Sequence, residues 1–455
     1  MPSQRVRKPD VLVIGGGVAG LSAAVDLVSH DRTLLLVEQK PRCGGRTYSF
    51  VDDVTGDEVD NGQHLMMGCY RSSLSYLEKI GSLSRVTVQK RLSVTYRDEH
   101  LGPISLRPIP LPGSLGTAAG LLFLKSLSIA ERLSLLRVGF ALLAEGKSDP
   151  ERVDSLTVKE WLQRHGQSES ARRNFWDIIC IGALNESSER ASASLFAKVL
   201  REIFLGSSLD SSMVIPGAGL SSVLVDPAVR FIESRRGSVL LNTSVESLIV
   251  GEDGITGAIL SDKTRVLPRA VVSAIPYFDL PKMFDRKDRT KLPAIESAGR
   301  FISSPILSVH LWFDRPFVEE EFVGFLGSPI HWVFNKSKIL KKESEGRQYL
   351  CLVVSSAGEF VGKGKGEIVE LSLRELRRFY PRSKECRVVR SLVIKEKRAT
   401  FSPRPGVNAF RPCNRTGIAN FFLAGDWTDT GLPATIEGAI RSGDACGSLA
   451  REYLA

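Results

Sequence analysis

The apolar residues of this chain are patterned in distinct ways along its length. Val11 to Ile14 and Thr33 to Val37 are short runs that end at turn residues, as strands buried on both faces of a parallel sheet do. Between them Ala23, Ala24 and Leu27 recur at helical spacing, so the N-terminal segment reads strand, tight turn, helix, strand. A related pattern closes the chain. Phe421 to Ala424 is a buried strand, Gly425 and Asp426 turn it, and Ile436, Ala439 and Ile440 mark one face of a helix running to about Ala450, with Pro433 expected just inside its start. Residues 237–276 alternate short strands around the turn Glu252-Asp253-Gly254.

The stretches between these segments differ. Residues 121–146 carry Leu and Phe at helical spacing, with Lys125, Arg132 and Arg137 among them. Two readings stand: core helices of a cap, or a helix lying on a membrane surface. A helix is expected from Ser192, with Leu195, Phe196, Val199 and Leu200 as its apolar stripe. Strands apolar on both faces are expected at 304–317, 329–337 and 348–356, followed by an amphipathic helix at 367–380.

Composition narrows the picture by exclusion. A chain of 455 residues, 43% hydrophobic and 25% charged, is that of a soluble protein of about two domains. Its seven Cys are scattered without a metal-ligand or disulfide spacing, so no metal site is expected and the thiols fit a reducing, cytoplasmic setting. No run reads as a secretory signal or a membrane span; the nearest, Pro108 to Leu124, is broken by Pro and Gly. The net charge of +10 fits nucleic acid or an anionic membrane surface. The basic residues are dispersed and not interleaved with aromatics, so nucleic acid is not expected.

The first turn carries the chemistry. Gly15, Gly17 and Gly20 form G-x-G-x-x-G between strand and helix: one glycine for the turn, one for close approach of a pyrophosphate, one for helix packing. The helix start at Val18 and Ala19 offers free N–H groups to phosphates. Glu38, with Gln39 beside it, ends the second strand roughly 20 residues on, where an acid binds a ribose hydroxyl. Strand, turn, helix, strand and acid together indicate a dinucleotide site.

The stretch "CGGRTYSF" then resembles the flavin-containing amine oxidase and phytoene desaturase superfamily. That resemblance implies FAD. It places Gly44 and Gly45 close to the pyrophosphate and Arg46 near the phosphates or the flavin, a role its donor fork suits; the alternative is a plain salt-bridge residue. It gives Asp426, after Gly425, a ribityl hydroxyl, and points the helix start at Pro433, Ala434 and Thr435 toward the flavin N1/C2=O edge. Val245 would meet the adenine through its backbone. Asn61, Gly62, Gln63 and His64 would line the flavin pyrimidine and the substrate mouth. The implied fold is α/β, a Rossmann-type FAD-binding domain of the amine oxidase superfamily. It is assembled from residues 1–96, 215–285 and 405–455. Residues 97–214 and 286–404 are expected to form an inserted substrate domain of mixed sheet and helices with an apolar helical cap.

Four stretches, "DNGQHLMMGCY", "IGALNESSERASASLFAKVL", "EKRATFSPRPG" and "AGDWTDTGLPATIEGAIRSG", together resemble the hydroxysqualene dehydroxylases of bacterial hopanoid pathways. The segment "FWDIICIG" departs from that family's usual Trp-x-Pro-Leu. The resemblance implies reduction of hydroxysqualene to squalene, with loss of water and hydride transfer from reduced flavin N5. Loss of the hydroxyl calls for a proton donor, and His64 is the candidate; the competing role is a hydrogen-bond partner of flavin or loop. Asn185 is a candidate for the substrate oxygen or for a turn cap, and Trp427 for cavity shaping or packing. The implied partner is an apolar polyprenoid, with peripheral contact at the cytoplasmic membrane. NADPH is a candidate electron donor, directly or through a partner. The oligomeric state is left open. Competing activities are a carotenoid or dehydrosqualene desaturase and a flavin amine oxidase.

Overall fold

The computed structural model describes residues 5–109, 114–144, 153–342 and 346–455. Segments far apart in sequence meet in one five-stranded parallel sheet, in the order Gly237–Leu240, Leu34–Val37, Val11–Ile14, Ala270–Ser273, Phe421–Leu423. Alternation along the strands decides what each face touches. Val11, Val13, Leu34 and Leu36 pack with helices Val18–Ser29 and Ile436–Leu454. Leu12, Ile14, Leu35 and Val37 face the other way, in one cluster with Leu248, Ala258 and Leu260 of a four-stranded sheet. With both faces covered, the strands read as continuous apolar runs. The two helices approach closely: a Cβ on Gly443 would lie 2.2 Å from the carbonyl oxygen of Ala19.

A second, seven-stranded sheet runs Val388–Phe401, Ser303–Phe313, Gln348–Val354, Trp332–Asn335, Phe322–Phe325, Val94–Asp98, Gly102–Leu106. One face, with Leu307, Val309, Leu311 and Leu352, packs under helix Lys365–Phe379. The alternate residues Ser308, His310 and Trp312 point away from that helix, and Trp312 with Tyr349 packs on Val59 of the N-terminal segment. The expected division at residue 96 falls inside the strand Val94–Asp98, whose buried Val94 and Tyr96 belong to this second sheet. Val86–Val88 still pairs with Met213–Pro216, so the chain crosses between Val88 and Val94.

Helices Ile129–Ala144, Val158–Arg164, Asp177–Leu184 and Ala193–Phe204 add buried residues to the main core. Ile129–Ala144 buries Leu135, Val138, Ala141 and Leu142 on one side; residues 145 and 146 of the apolar stretch lie outside the described residues. Among the described residues no helix is long and apolar enough to cross a membrane. The closing helix starts later than its sequence indicates. Pro433 is not inside it; Thr435 stays extended and its hydroxyl accepts from Gly438 N–H at 3.0 Å, so the helix begins at Ile436.

Candidate active site

The glycines of the first turn do three different things. Gly15 has φ +101°, a conformation that excludes side chains. A Cβ on Gly20 would sit 2.0 Å from the Gly15 carbonyl oxygen, so the helix leaves the strand only because no side chain intervenes. Around Gly17 no heavy atom lies within 4 Å of where a Cβ would be, and no side chain caps the helix it begins. The N–H groups of the first turn have no partner inside this twelve-residue helix and stand at its positive end, beside that open space. That space and those donors fit a pyrophosphate. Gly44 donates from its N–H to Gly16 O at 2.8 Å and, with Gly45, lies against the same turn. Glu38 is buried and accepts from Gly16 N–H at 2.7 Å and Lys40 N–H at 2.9 Å, so it braces the turn. Gln39 beside it is exposed, and Val245 begins the strand Val245–Val250.

The C-terminal turn comes to meet Arg46. The guanidinium donates to Asp426 Oδ1 at 2.8 Å and to the Ala399 carbonyl. Burial alone would pull the Arg46 pKa down; the Asp426 carboxylate more than reverses it, leaving the guanidinium firmly charged. Arg46 and Asp426 thus form an ion pair that ties the Gly-Gly-Arg loop to the turn after Phe421–Leu423. Arg411, which sequence reading did not single out, holds that turn from the other side. Its Nη2 donates to the Asp426 and Thr428 carbonyls and to Thr430 Oγ1, and burial pulls its guanidinium down to about 10. Pro433, Ala434 and Thr435 follow directly and lead into the closing helix.

The loop from Asp60 to His64 is fixed by a residue that sequence reading also missed. Lys336, 1% exposed at its side chain, donates to Asp60 Oδ2 and to Gln63 Oε1, each at 2.8 Å. Asp60 Oδ1 accepts from Ser49 Oγ at 2.7 Å and Leu220 N–H at 2.8 Å. Burial pushes the Asp60 carboxyl up; the Lys336 ammonium and these hydrogen bonds overcome that and hold it below the ordinary carboxylate range. The only signal in the sequence was a lysine directly after the apolar strand Trp332–Asn335. Asn61 Oδ1 faces Tyr48 N–H at 3.4 Å, which closes the loop onto the strand before it. Gly62 to Leu65 remain half-buried, the exposure of a wall and not of a core.

His64 is placed as an acceptor. Its Nδ1 lies 2.9 Å from the Gly62 carbonyl oxygen, which only accepts, so Nδ1 carries the proton and Nε2 the lone pair. Burial pulls its pKa below the ordinary imidazole value, beyond what the Gly62 bond and the Asp60 charge restore. A ring that is neutral near pH 7 with its one N–H engaged is a poor proton donor, which weighs against the acid role expected for it.

Two weaker candidates resolve into structural roles. Asn185 has φ +51° and ends Asp177–Leu184; its amide donates to Ser304 O and Thr400 Oγ1 and accepts from Ser356 N–H, which commits it to joining helix and sheet. Trp427 is 2% exposed and donates to Ile275 O at 3.2 Å within a cluster with Tyr277 and Phe301. The half-buried Leu65, Ile179, Ala183, Ile306 and Trp332 pack against the main core. Among the described residues no cluster of His, Cys, Asp and Glu is arranged to hold a metal ion.

Comparison with known proteins agrees with this geometry. A hydroxysqualene dehydroxylase of Sinorhizobium fredii is 28% identical over 97% of this chain and 98% of its own. A 15-cis-phytoene desaturase of Capsicum annuum is 26% identical over 99% of this chain and 79% of its own. Cyclohexylamine oxidase from Brevibacterium oxydans shares the fold, with a TM-score of 0.71, 17% identity, and coverage of 98% of this chain and 100% of that one. An oxidoreductase of Methanosarcina mazei superposes with a TM-score of 0.73 at 17% identity, covering 96% and 99%. The family profile described as flavin containing amine oxidoreductase matches residues 18–446, from the helix that follows the glycine turn to the closing helix. With the glycine turn, the Arg46–Asp426 tie and this match in hand, the chain belongs to the flavin-containing amine oxidoreductases and is an FAD-dependent oxidoreductase.

Proposed function

We propose that this oxidoreductase is a hydroxysqualene dehydroxylase, which reduces an apolar polyprenoid alcohol to the hydrocarbon. The observation that carries the reading is the match with the Sinorhizobium fredii dehydroxylase, 28% identical over 97% of this chain and 98% of its own, against 25% over 95% and 94% for a 15-cis-phytoene desaturase of Synechococcus elongatus. The polar groups support it. The carboxylates of Asp60 and Asp426 are already neutralised by Lys336 and Arg46, so neither is free to hold a substrate ammonium. The half-buried apolar residues suit a hydrocarbon.

In the reaction a C–O bond breaks, a hydride replaces the oxygen at carbon, and the oxygen leaves as water after taking one proton from a solvent water, since the one N–H of His64 is engaged by Gly62. Bound FAD in its reduced form supplies the hydride, and NADPH is the proposed source of its electrons. Gly15, Gly17, Gly20, Gly44 and Gly45 would cradle the pyrophosphate, Glu38 the ribose, Asp426 the ribityl chain, and Val245 the adenine. Gly62, which lacks a side chain, would let the flavin edge approach the loop. His64 Nε2 accepts a hydrogen bond from the substrate hydroxyl, which orients the C–O bond and then receives the departing water. Lys336 holds the loop that carries His64, through Asp60 and Gln63. The substrate resides in lipid, so peripheral contact with the cytoplasmic membrane belongs to the proposal.

The test is an anaerobic incubation of the reduced holoenzyme with hydroxysqualene, followed by mass analysis of the extracted lipid. Squalene formed as the flavin reoxidises is the expected result. Unchanged alcohol with the flavin still reduced overturns the reading and favours a desaturase, assayed with oxidised flavin and a more saturated polyprenoid. His64→Gln, which keeps an acceptor, is expected to retain turnover within about tenfold; a loss of roughly a hundredfold or more returns His64 to the acid role.

A further inference from the structure

The helix Ile129–Ala144 is apolar on two opposite sides, and only one of them is used. Leu135, Val138, Ala141 and Leu142 face the core. Ile129, Leu133, Leu136, Phe140 and Leu143 form a continuous stripe on the other side, each between 36% and 74% exposed, and Phe123 in the preceding loop is 68% exposed. This is a long, ordered element: Ser128 and Glu131 close a capping box at its start, with Glu131 N–H donating to Ser128 Oγ and Ser128 N–H to Glu131. At 3.6 residues per turn, Arg132 falls on one flank of the stripe, its guanidinium donating to the Leu122 and Leu127 carbonyls, and the exposed Arg137 falls on the other. Lys125 is exposed in the loop beside Phe123. Glu131 points elsewhere, bonded to Ser128 and Ser168.

We infer that this stripe is the surface by which the protein docks on an anionic bilayer, the apolar side chains entering the acyl boundary and the exposed Arg137 and Lys125 meeting lipid phosphates. The inference deepens the membrane contact of the function proposed above and rests on that reading for its purpose, though not for its geometry. An isolated apolar row on a monomer is a liability unless something covers it. The charges choose the cover. The spacing of the stripe also matches a coiled-coil seam, but pairing with a second copy would bring arginines to both flanks without acidic partners, whereas seams are closed by opposite charges there. Arginine stems on the rim of an apolar stripe extend their heads to phosphate while their methylenes remain with lipid.

The experiment is flotation of the purified holoenzyme with phosphatidylcholine vesicles, with and without phosphatidylglycerol. The expected result is binding that requires phosphatidylglycerol and weakens as salt is raised. The double variant Leu133→Glu with Phe140→Glu changes only exposed positions; it is expected to lower vesicle partition on the order of a hundredfold. Its melting temperature and flavin content should match the wild type. Wild-type protein that stays with the soluble fraction, or a double variant that floats equally well, overturns the inference. So does a dimer in sedimentation that the double variant abolishes, since the stripe would then belong to a second copy. Vesicle binding uses no substrate, so a protein that floats yet leaves hydroxysqualene unchanged in detergent removes the dehydroxylase reading and leaves the surface standing.

Discussion

Lys336→Met is expected to cost the folded protein about 3–5 kcal/mol, the usual loss when one partner of a buried ion pair is removed. Methionine fills much the same volume, so the loss comes from Asp60, whose carboxylate would keep only its bonds from Ser49 and Leu220. The pH dependence carries the signature. In the wild type the Asp60 pKa is depressed, so its contribution is present above the unfolded value of about 3.9 and is lost as pH falls through the folded one. Without Lys336 the burial that raises this pKa is opposed only by the hydrogen bonds from Ser49 and Leu220. The variant should then lose stability as pH rises, so that it is closer to wild type near about pH 5 than near about pH 8. Urea unfolding at the two pH values measures this. Adding Asp60→Asn should recover much of the loss, because the stranded charge is gone. Equal deficits at both pH values would show that the pair contributes packing and little charge. The flavin content of the purified double variant separates fold from site: if the loop Asp60 to His64 is held only to present it to FAD, stability returns while flavin retention stays low.

What could be read from the sequence divides along the same line. The glycine turn, the strands Val11–Ile14 and Leu34–Val37 and the acid at Glu38 were legible because each is fixed within a few residues: an apolar run, a required φ, a strand end. The family match over residues 18–446 shows the resemblance read from "CGGRTYSF" and the C-terminal Gly-Asp turn. The partners of Asp60 and Asp426 were not legible. Lys336 reaches Asp60 only after the second sheet has formed, and Arg411 binds carbonyls, which carry no sequence signature. His64 was rightly placed in a polar loop, but its tautomer depends on the direction of the Gly62 carbonyl, which composition does not encode. The start of the closing helix was misread because Pro at the first helical position is a common arrangement, and here Thr435 outcompetes it as a cap. The two-sided character of Ile129–Ala144 left two readings open in the sequence; the structure buries one apolar face and exposes the other.

Gly17→Asp is expected to abolish flavin binding and spare the fold, a combination that Gly20→Ala cannot give. Gly17 has φ −69° and ψ 172°, extended backbone open to any residue, and nothing lies within 4 Å of its missing Cβ. It is also the N-cap of Val18–Ser29, where aspartate is among the favoured residues, so the substitution should leave the apoprotein's melting temperature equal to or above the wild type's. The same carboxylate would take the free N–H groups of the helix start and set a negative charge where the pyrophosphate belongs. Losing those charge-assisted hydrogen bonds and adding repulsion should weaken FAD on the order of a thousandfold. At Gly20 the Cβ would collide with the Gly15 carbonyl, so Gly20→Ala should lower stability by about 1–3 kcal/mol whether or not flavin is present. Titration of each apoprotein with FAD, beside its thermal melt without FAD, distinguishes them. Normal FAD binding by Gly17→Asp would mean that the helix start is not the phosphate site and that Gly17 serves only the turn. Loss of binding with an intact melt would locate the pyrophosphate at the one glycine of the motif that the protein's own packing does not require.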